Sequence, residues 1–409
     1  MDLDAFSWLL TDDGQQLLAR ATEMTAAAST DDTVDGKGDG KGNSKGSRKR
    51  SALAVQAALR KDETAEHVTA AMAQVDLRRK AATKFGDLAP RMYFTPDGLE
   101  QATRLTVAHH RAARLRAFEA ASVIDLGCGI GGDLIASSRA GLTAAGVDHD
   151  PERVAVAKAN LDALGLPGAV TVADATAVDH SPFEVAYADP ARRGAKGRVF
   201  SAEGWTPPWS WVETLFARDA CVKVAPGIPH DLVPEKVEAE WVSDRGEVKE
   251  AALWSGSLAS TQRRATVIGE RGLATLTSED DPGGEVGPVA EFLYEPDGAV
   301  IRAGLVTAVA AGVQGHLVDE HIAYVTSSAS FETPFARGYQ VLEELPYREK
   351  QLKAALRERG IGRLTIKKRG VQVVPEQLRK RLALSGSEEA TIVLTRVAGE
   401  GTCLLVRPF

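Results

Sequence analysis

The chain has 409 residues, 44% of them hydrophobic and 26% charged, with 3 cysteines and a formal net charge of −7. The length exceeds one typical core and the composition is ordinary for a globular protein, which excludes the disordered and membrane-spanning classes. Cys128, Cys221 and Cys403 are odd in number and far apart and the histidines form no HExxH, so neither a disulfide framework nor a metal site is expected.

The first residues, MDLDAFSWLLTDDGQQ, carry acids where a signal peptide places its cationic region. The apolar stretch GLVTAVAAGVQGHLV is too short for a membrane span and is broken by Gly304, Gly312 and Gly315, so a cytoplasmic protein is expected. Apolar residues at helical spacing (Phe6, Leu9, Leu10, Leu17, Leu18) and helical composition from about Ser51 to Ala82 predict an N-terminal helical region over 1–118. Between them, TDDTVDGKGDGKGNSKGSRKR has almost no apolar side chains to offset the entropy of ordering, which predicts a disordered insertion over about 30–50.

From Ala121 short β-branched runs alternate with helical runs, the pattern of a parallel sheet covered by helices, and a domain over 119–272 is expected. SVIDLG, LTAAGVD, AVTVAD, FEVAYAD and ACVKVAP are its candidate strands. The second helix is marked by Asp150 as N-cap, Pro151 at its first turn and Gly165 as its stop. After Pro226, VEAEWVSDRGEVKEAALW reads as two strands around an SDRGE turn, and RRATVIG as another. Residues 273–346 give mixed signals and receive no fold. Over 347–409, EKQLKAALRERGI and PEQLRKRLAL read as helices, and RLTIKKRG, EATIVLTRV and GTCLLVRPF as strands of a small α/β module. Residues 348–381 hold twelve basic side chains against three acids, a local charge of +9 that leaves −16 for the rest of the chain. That asymmetry predicts that this end meets a polyanion.

Gly127, Gly129 and Gly132 satisfy GxGxxG after a strand, which by itself admits a dinucleotide. The same stretch reads Asp125-x-Gly127-x-Gly129-x-Gly131. It resembles the first motif of class I S-adenosylmethionine-dependent methyltransferases. The acid favours that cofactor, because S-adenosylmethionine carries an ammonium and a sulfonium where a dinucleotide carries a repelled pyrophosphate. The resemblance implies a Rossmann-like seven-stranded α/β sheet, with Asp148 accepting from the ribose hydroxyls and Asp174 from the adenine amino group.

The fourth strand ends in YADPARR. Asp189 and Pro190 match the start of the (D/N/S)-P-P-(Y/F/W) motif of amine-methylating enzymes, whereas Ala191 replaces the second proline and Arg192 the aromatic. The resemblance implies that Asp189 and Pro190 hold the acceptor nitrogen in line with the methyl group, with Arg192 or Arg193 on a base or phosphate. Trp205, Trp209 and Trp211 are candidate stacking residues, each weighed against plain packing. Cys221 lies within its strand rather than beyond it, so it reads as a buried small residue and not as the nucleophile of carbon-5 methylation. Lys223 reads equally as a site cation or an edge residue.

From Lys84 to the C-terminus the pattern KFGDLAPRMYFTPDGLEQAT, DPARRGAKGRVF, FARGYQVLEELP and IKKRGVQVVPEQLRKRL is similar to a bacterial family of class I methyltransferases ending in a THUMP-like domain. That similarity implies an RNA substrate, such as tRNA or rRNA, methylated on a base nitrogen. Lys367, Lys368, Arg369, Arg379, Lys380 and Arg381 would be its RNA contacts, recognising shape rather than sequence. Two alternatives stay open. One is a methyltransferase of a small molecule or protein, and the other an RNA-binding protein whose methyl-donor pocket is not catalytic.

Overall fold

The apolar spacing near the N-terminus becomes two helices, α1 (Leu3–Leu9) and α2 (Asp12–Val34). They part at Thr11, whose carbonyl accepts from Gln15 N at 2.9 Å and whose hydroxyl accepts from Gly14 N at 3.3 Å. The structure is a computed structural model describing residues 3–34, 44–192 and 204–409, and the chain divides into two units, Met1–Val222 and Lys223–Phe409. Helix α3 (Ser44–Leu59) follows. Regular helix therefore occupies both ends of the segment expected to be disordered, and its glycine-rich middle, 35–43, lies outside the described residues. Among the described residues no helix is long and apolar enough to cross a membrane.

In the first unit, α4 (Ala65–Phe85) buries Val68, Leu77 and Phe85, and its Thr64 cap accepts from His67 N. The short α5 (Pro96–Gln101) and α6 (Leu105–Ala117) lead to the sheet. Chain order is then β1 (Ser122–Leu126), α7 (Gly132–Arg139), β2 (Thr143–Asp148), α8 (Pro151–Leu164), β3 (Ala169–Val172) and β4 (Val185–Ala188). A short antiparallel pair, β5 (Ala191–Arg192) with β6 (Trp205–Thr206), precedes α9 (Trp209–Leu215) and β7 (Ala220–Val224). The order across the sheet is β7-β4-β1-β2-β3, with every neighbour parallel. Strands β4 and β2 flank β1, so the order reverses at β1, and the crevice for a ligand opens at the carboxyl ends there. Helix α8 begins and ends as its residues require: Asp150 accepts from Glu152 N at 2.9 Å, and Gly165 takes a left-handed φ of 68°.

Two buried amides fix the segment ahead of α5. Gln74 donates to Phe94 O at 2.7 Å and accepts from Phe94 N at 3.1 Å. Asn160 accepts from Tyr93 N at 2.6 Å and donates to Tyr93 O at 3.1 Å and Ile130 O at 2.9 Å. Together they replace missing strand partners and tie residues 93–94 to α4, α8 and the turn after β1.

In the second unit β8 (Glu238–Asp244) and β9 (Glu247–Ser255) form the hairpin expected around SDRGE, with Arg245 and Gly246 both at positive φ (53° and 79°) as a tight two-residue turn requires. β10 (Arg263–Gly269) runs parallel to β8, and β11 (Gly272–Thr277) antiparallel to β10. Strand β8 is buried throughout, and its acids are satisfied inside: Glu240 accepts from Trp254 Nε1 at 2.9 Å and Thr266 Oγ1 at 2.6 Å.

The stretch left without a fold supplies β12 (Phe292–Pro296), α10 (Gly298–Ala303), α11 (Val306–Gly312), β13 (His316–Asp319), β14 (Ile322–Ser327) and β15 (Ala336–Leu345). After α12 (Glu349–Glu358) come β16 (Ile361–Lys368), α13 (Pro375–Leu382), β17 (Glu388–Val397) and β18 (Glu400–Pro408), and one sheet joins them in the order β13-β14-β12-β15-β18-β17-β16. β15 pairs with β18 from Tyr339–Pro408 to Leu345–Cys403, so the boundary expected at 346/347 falls inside this sheet. Leu352 and Leu356 of α12 and Leu378 and Leu382 of α13 pack on Leu364, Ile366, Ile392 and Leu394 of the sheet.

Replacing Asn160 with leucine leaves three buried backbone groups without partners, at about 1 to 3 kcal/mol each. Urea unfolding of Asn160→Leu is expected to show a loss of about 3 kcal/mol or more, and a loss below about 1 kcal/mol would contradict the clamp.

Candidate functional site

The turn between β1 and α7 is made by glycines that other residues would strain. Gly127, Gly129 and Gly131 have φ of 111°, 55° and 84°. A Cβ on Gly127 or Gly129 would meet no atom within 4 Å, whereas one on Gly131 would press on Ala157 at 3.3 Å. The first two therefore face open space, and the third lets α7 approach α8. Backbone bonds from Gly127 N and Cys128 N to Val147 O, 2.8 and 2.9 Å, hold the turn against β2.

The open space belongs to a cleft that is open to solvent. Gly127, Gly129, Gly132, Asp125, Asp133, Tyr187 and Asp189 line it, with Gly98, Gln101, Ala102, Thr103 and Arg153 at its wall. The Gln74 and Asn160 clamps hold residues 93–94, directly ahead of the segment that delivers this wall.

Asp125 sits near the end of β1, in register with Gly146 on one side and Tyr187 on the other. It is 4% exposed, and its Oδ1 has no hydrogen-bond partner. Burial pushes its carboxyl well above the usual carboxylate range, the negative charges of Asp133 and Asp189 push the same way, and Arg111 opposes them. A buried acceptor left unsatisfied in a cleft is a demand for a donor. The ammonium of S-adenosylmethionine is such a donor, and the Cα atoms of Gly127 and Gly129 leave room for the body of the ligand. The residues present therefore fit that cofactor.

Asp148, at the end of β2, is 3% exposed and accepts from Gly129 N at 3.0 Å and Asp150 N at 3.0 Å, so it shapes the turn, and it is not among the residues lining the cleft. Asp174 departs from expectation. It is exposed, its Oδ1 accepts from Thr176 N at 2.8 Å and Thr176 Oγ1 at 2.7 Å, and those bonds hold its carboxyl below the usual range. It is not among the residues lining the cleft.

Asp189 lines the cleft and Pro190 is buried behind it. The backbone of Arg192 pairs with Trp205, but its side chain and all of Arg193 lie outside the described residues. Trp205 and Trp209 are buried edge to face, with ring centres 5.3 Å apart, so they pack rather than offer a stacking face. Cys221 is fully buried in β7.

Arg111, Asp133 and Tyr187 were not singled out by sequence. Asp133 follows the glycines directly, so its place at the mouth of α7 was readable. Arg111 gave no signal, since HHRAARLR reads as an exposed basic helix.

In the second unit several basic residues have internal work. Lys367 pairs with Glu295 at 2.5 Å and lies over the Tyr339 ring, and Arg369 lies over Tyr324. Arg379 Nε donates to Leu364 O, and Arg381 pairs with Glu349. Lys368 and Lys380 are exposed.

The description THUMP domain-like matches residues 336–408. In two strains of Mycobacterium tuberculosis, an uncharacterized S-adenosylmethionine-dependent methyltransferase is 38% identical over 335 residues, covering 78% of this chain and 90% of the relative. A crystal structure described as a methyltransferase, from Porphyromonas gingivalis, is similar with a TM-score of 0.69 at 22% identity, over 84% of this chain and 91% of the other. The latter supports the class I methyltransferase fold.

Asp125→Asn separates binding from stability. Because the folded-state affinity of Asp125 for its proton is raised, its stabilising contribution is present below the unfolded carboxylate range and lost as pH rises through the folded value. The asparagine variant is expected to escape that loss, so the ligand-free protein melts higher than wild type at alkaline pH. S-adenosylhomocysteine should bind the variant at least about tenfold more weakly, the effect of one charge-assisted bond. Unchanged affinity in calorimetry would remove Asp125 from the cofactor seat.

Proposed function

The chain belongs to the S-adenosylmethionine-dependent methyltransferases, and on that premise we propose that it methylates a base nitrogen of a structured RNA. The observation that carries the reading is the placement of Asp189 in the same cleft as Asp125 and the glycine turn. An acceptor group held at Asp189 is thereby beside the methyl donor's seat.

The bound cofactor supplies an activated methyl group. The residues would supply the geometry: Asp125 would take the ammonium end, Gly127 and Gly129 would admit the nucleoside, and Asp148, which braces the turn, would accept from the ribose. Asp189 accepts from the target N–H and directs the nitrogen's lone pair into the cleft, with buried Pro190 limiting the freedom of the loop. As the nitrogen gains the methyl group it loses a proton, which Asp189 is placed to receive. No role in the cofactor seat is proposed for Asp174, whose oxygen is engaged by its own turn.

RNA as the acceptor is supported by the THUMP domain-like match and by the cation-rich segment within it. Arg379 and Arg381 remain exposed although each also holds an internal bond, and with Lys368 and Lys380 they give the module outward positive charge. Lys367 and Arg369 serve the inside of the sheet, by holding Glu295 and covering Tyr324. Shape readout suits such a surface better than base readout.

Two variants test the reading in the full chain. Asp189→Ala is expected to keep S-adenosylhomocysteine affinity and lose about a hundredfold or more in labelled methyl transfer to RNA from cells lacking the protein. Lys368→Ala combined with Lys380→Ala should flatten the dependence of RNA affinity on log salt by about 0.7 to 0.9 for each phosphate contact removed. Label recovered in protein or small molecules instead of RNA would overturn the proposal. Shortening the chain at 347 is a poorer test, because it strips β16, β17 and β18 from the sheet.

A further inference from the structure

Arg111 is a buried cation on α6, outside every motif of the cofactor site. It is 4% exposed, forms an ion pair with Asp133 at the start of α7, and lies over the Tyr187 ring with its guanidinium carbon 4.5 Å from the ring centre. Tyr187 is the register neighbour of Asp125 on the adjacent parallel strand, so their side chains leave the same face of the sheet. Asp125, Asp133, Tyr187 and Asp189 line one cleft.

We propose that Arg111 is a positioning residue for the cofactor. By neutralising Asp133 and bracing Tyr187, it leaves Asp125 as the carboxylate whose charge the ammonium of the ligand completes. This rests on the reading of the cleft as the S-adenosylmethionine seat, and adds the part that sets its charge.

The physical reason is crowding of like charges. Asp125 is faced by Asp133 from α7, Asp189 from the end of β4 and Asp148 from β2, while Arg111 from α6 is the opposing charge. Cys128, in the turn, is neutral because burial and the Asp125 charge raise its thiol. Arg153 of α8, also on the cleft, stands 4.0 Å from Asp148 and 3.6 Å from Asp150. An ionised carboxylate in such company is held only if a cation shares its space. With Arg111 paired to Asp133, the repulsion that Asp133 exerts on Asp125 is reduced, and Asp125 can ionise for an incoming ammonium. Without Arg111, the cluster takes up a proton to relieve itself, and Asp125 meets the ligand as a neutral acid. The Arg111 guanidinium also keeps the Tyr187 ring in place as one wall of the cleft.

Removing one charge of the pair and then the other gives opposite signs, which a packing role does not. Arg111→Met should weaken S-adenosylhomocysteine binding about tenfold or more at neutral pH and move the pH midpoint of binding upward, since Asp125 then holds its proton to higher pH. Asp133→Asn should move the midpoint downward. The double variant should return toward wild type, and Arg111→Lys should restore most of the affinity lost in Arg111→Met.

Calorimetric titrations across about pH 5 to about pH 9, with thermal unfolding to confirm folding, read all of these. If Arg111→Met does not fold, the downward shift in Asp133→Asn still decides. A midpoint unmoved by Asp133→Asn, or a double variant no closer to wild type than Arg111→Met, would overturn the proposal. Failure of the wild-type protein to bind S-adenosylhomocysteine would instead overturn the reading of the cleft.

Discussion

One buried oxygen organises the first unit. Asp125 Oδ1 is enclosed by protein and unpaired, at the carboxyl end of the strand where the sheet order reverses. An unsatisfied buried acceptor costs about 1 to 3 kcal/mol, and more when charged, so it persists only where another requirement maintains it. On the proposed reading the requirement is a cationic ligand. The glycine turn beside it, the amide clamps of Gln74 and Asn160, and the Arg111–Asp133 pair frame the cleft that Asp125 lines.

The turn and its acid are local features, and local features are legible. Strand, glycine spacing and carboxylate follow one another within eleven residues, VIDLGCGIGGD, and each limits the conformation of the next. The same is true of α8, where Asp150, Pro151 and Gly165 mark a start and a stop that the hydrogen bonds reproduce. The hairpin at Arg245 and Gly246 was readable for the same reason.

What sequence hid was contact between distant segments. Arg111 lies 22 residues from Asp133, and its helix carries enough basic residues to read as solvated. Gln74 and Asn160 are polar residues on helices, ordinarily surface positions, and only the fold reveals that they substitute for a missing strand neighbour. Asp174 shows a different local constraint. Its strand-end position matched the pattern of Asp125 and Asp148, but Thr176, two residues on, offers a nearby donor, and one carboxylate oxygen closes a local turn. Residues 273–346 resisted reading because their strands pair with partners up to some seventy residues away, as β15 does with β18, and no short period announces such pairing. The basic segment was legible as a charge but not as a surface, since Lys367 is spent on Glu295 inside the sheet.

The central claim is that the cleft at β1 seats the cofactor with its ammonium on Asp125. A crystal structure of the protein with S-adenosylhomocysteine tests it most directly. The account predicts the ligand's amino nitrogen about 3 Å from Asp125 Oδ1, with its nucleoside passing over Gly127 and Gly129. A ligand bound elsewhere, or one whose amino group leaves Asp125 Oδ1 unpaired, would contradict it.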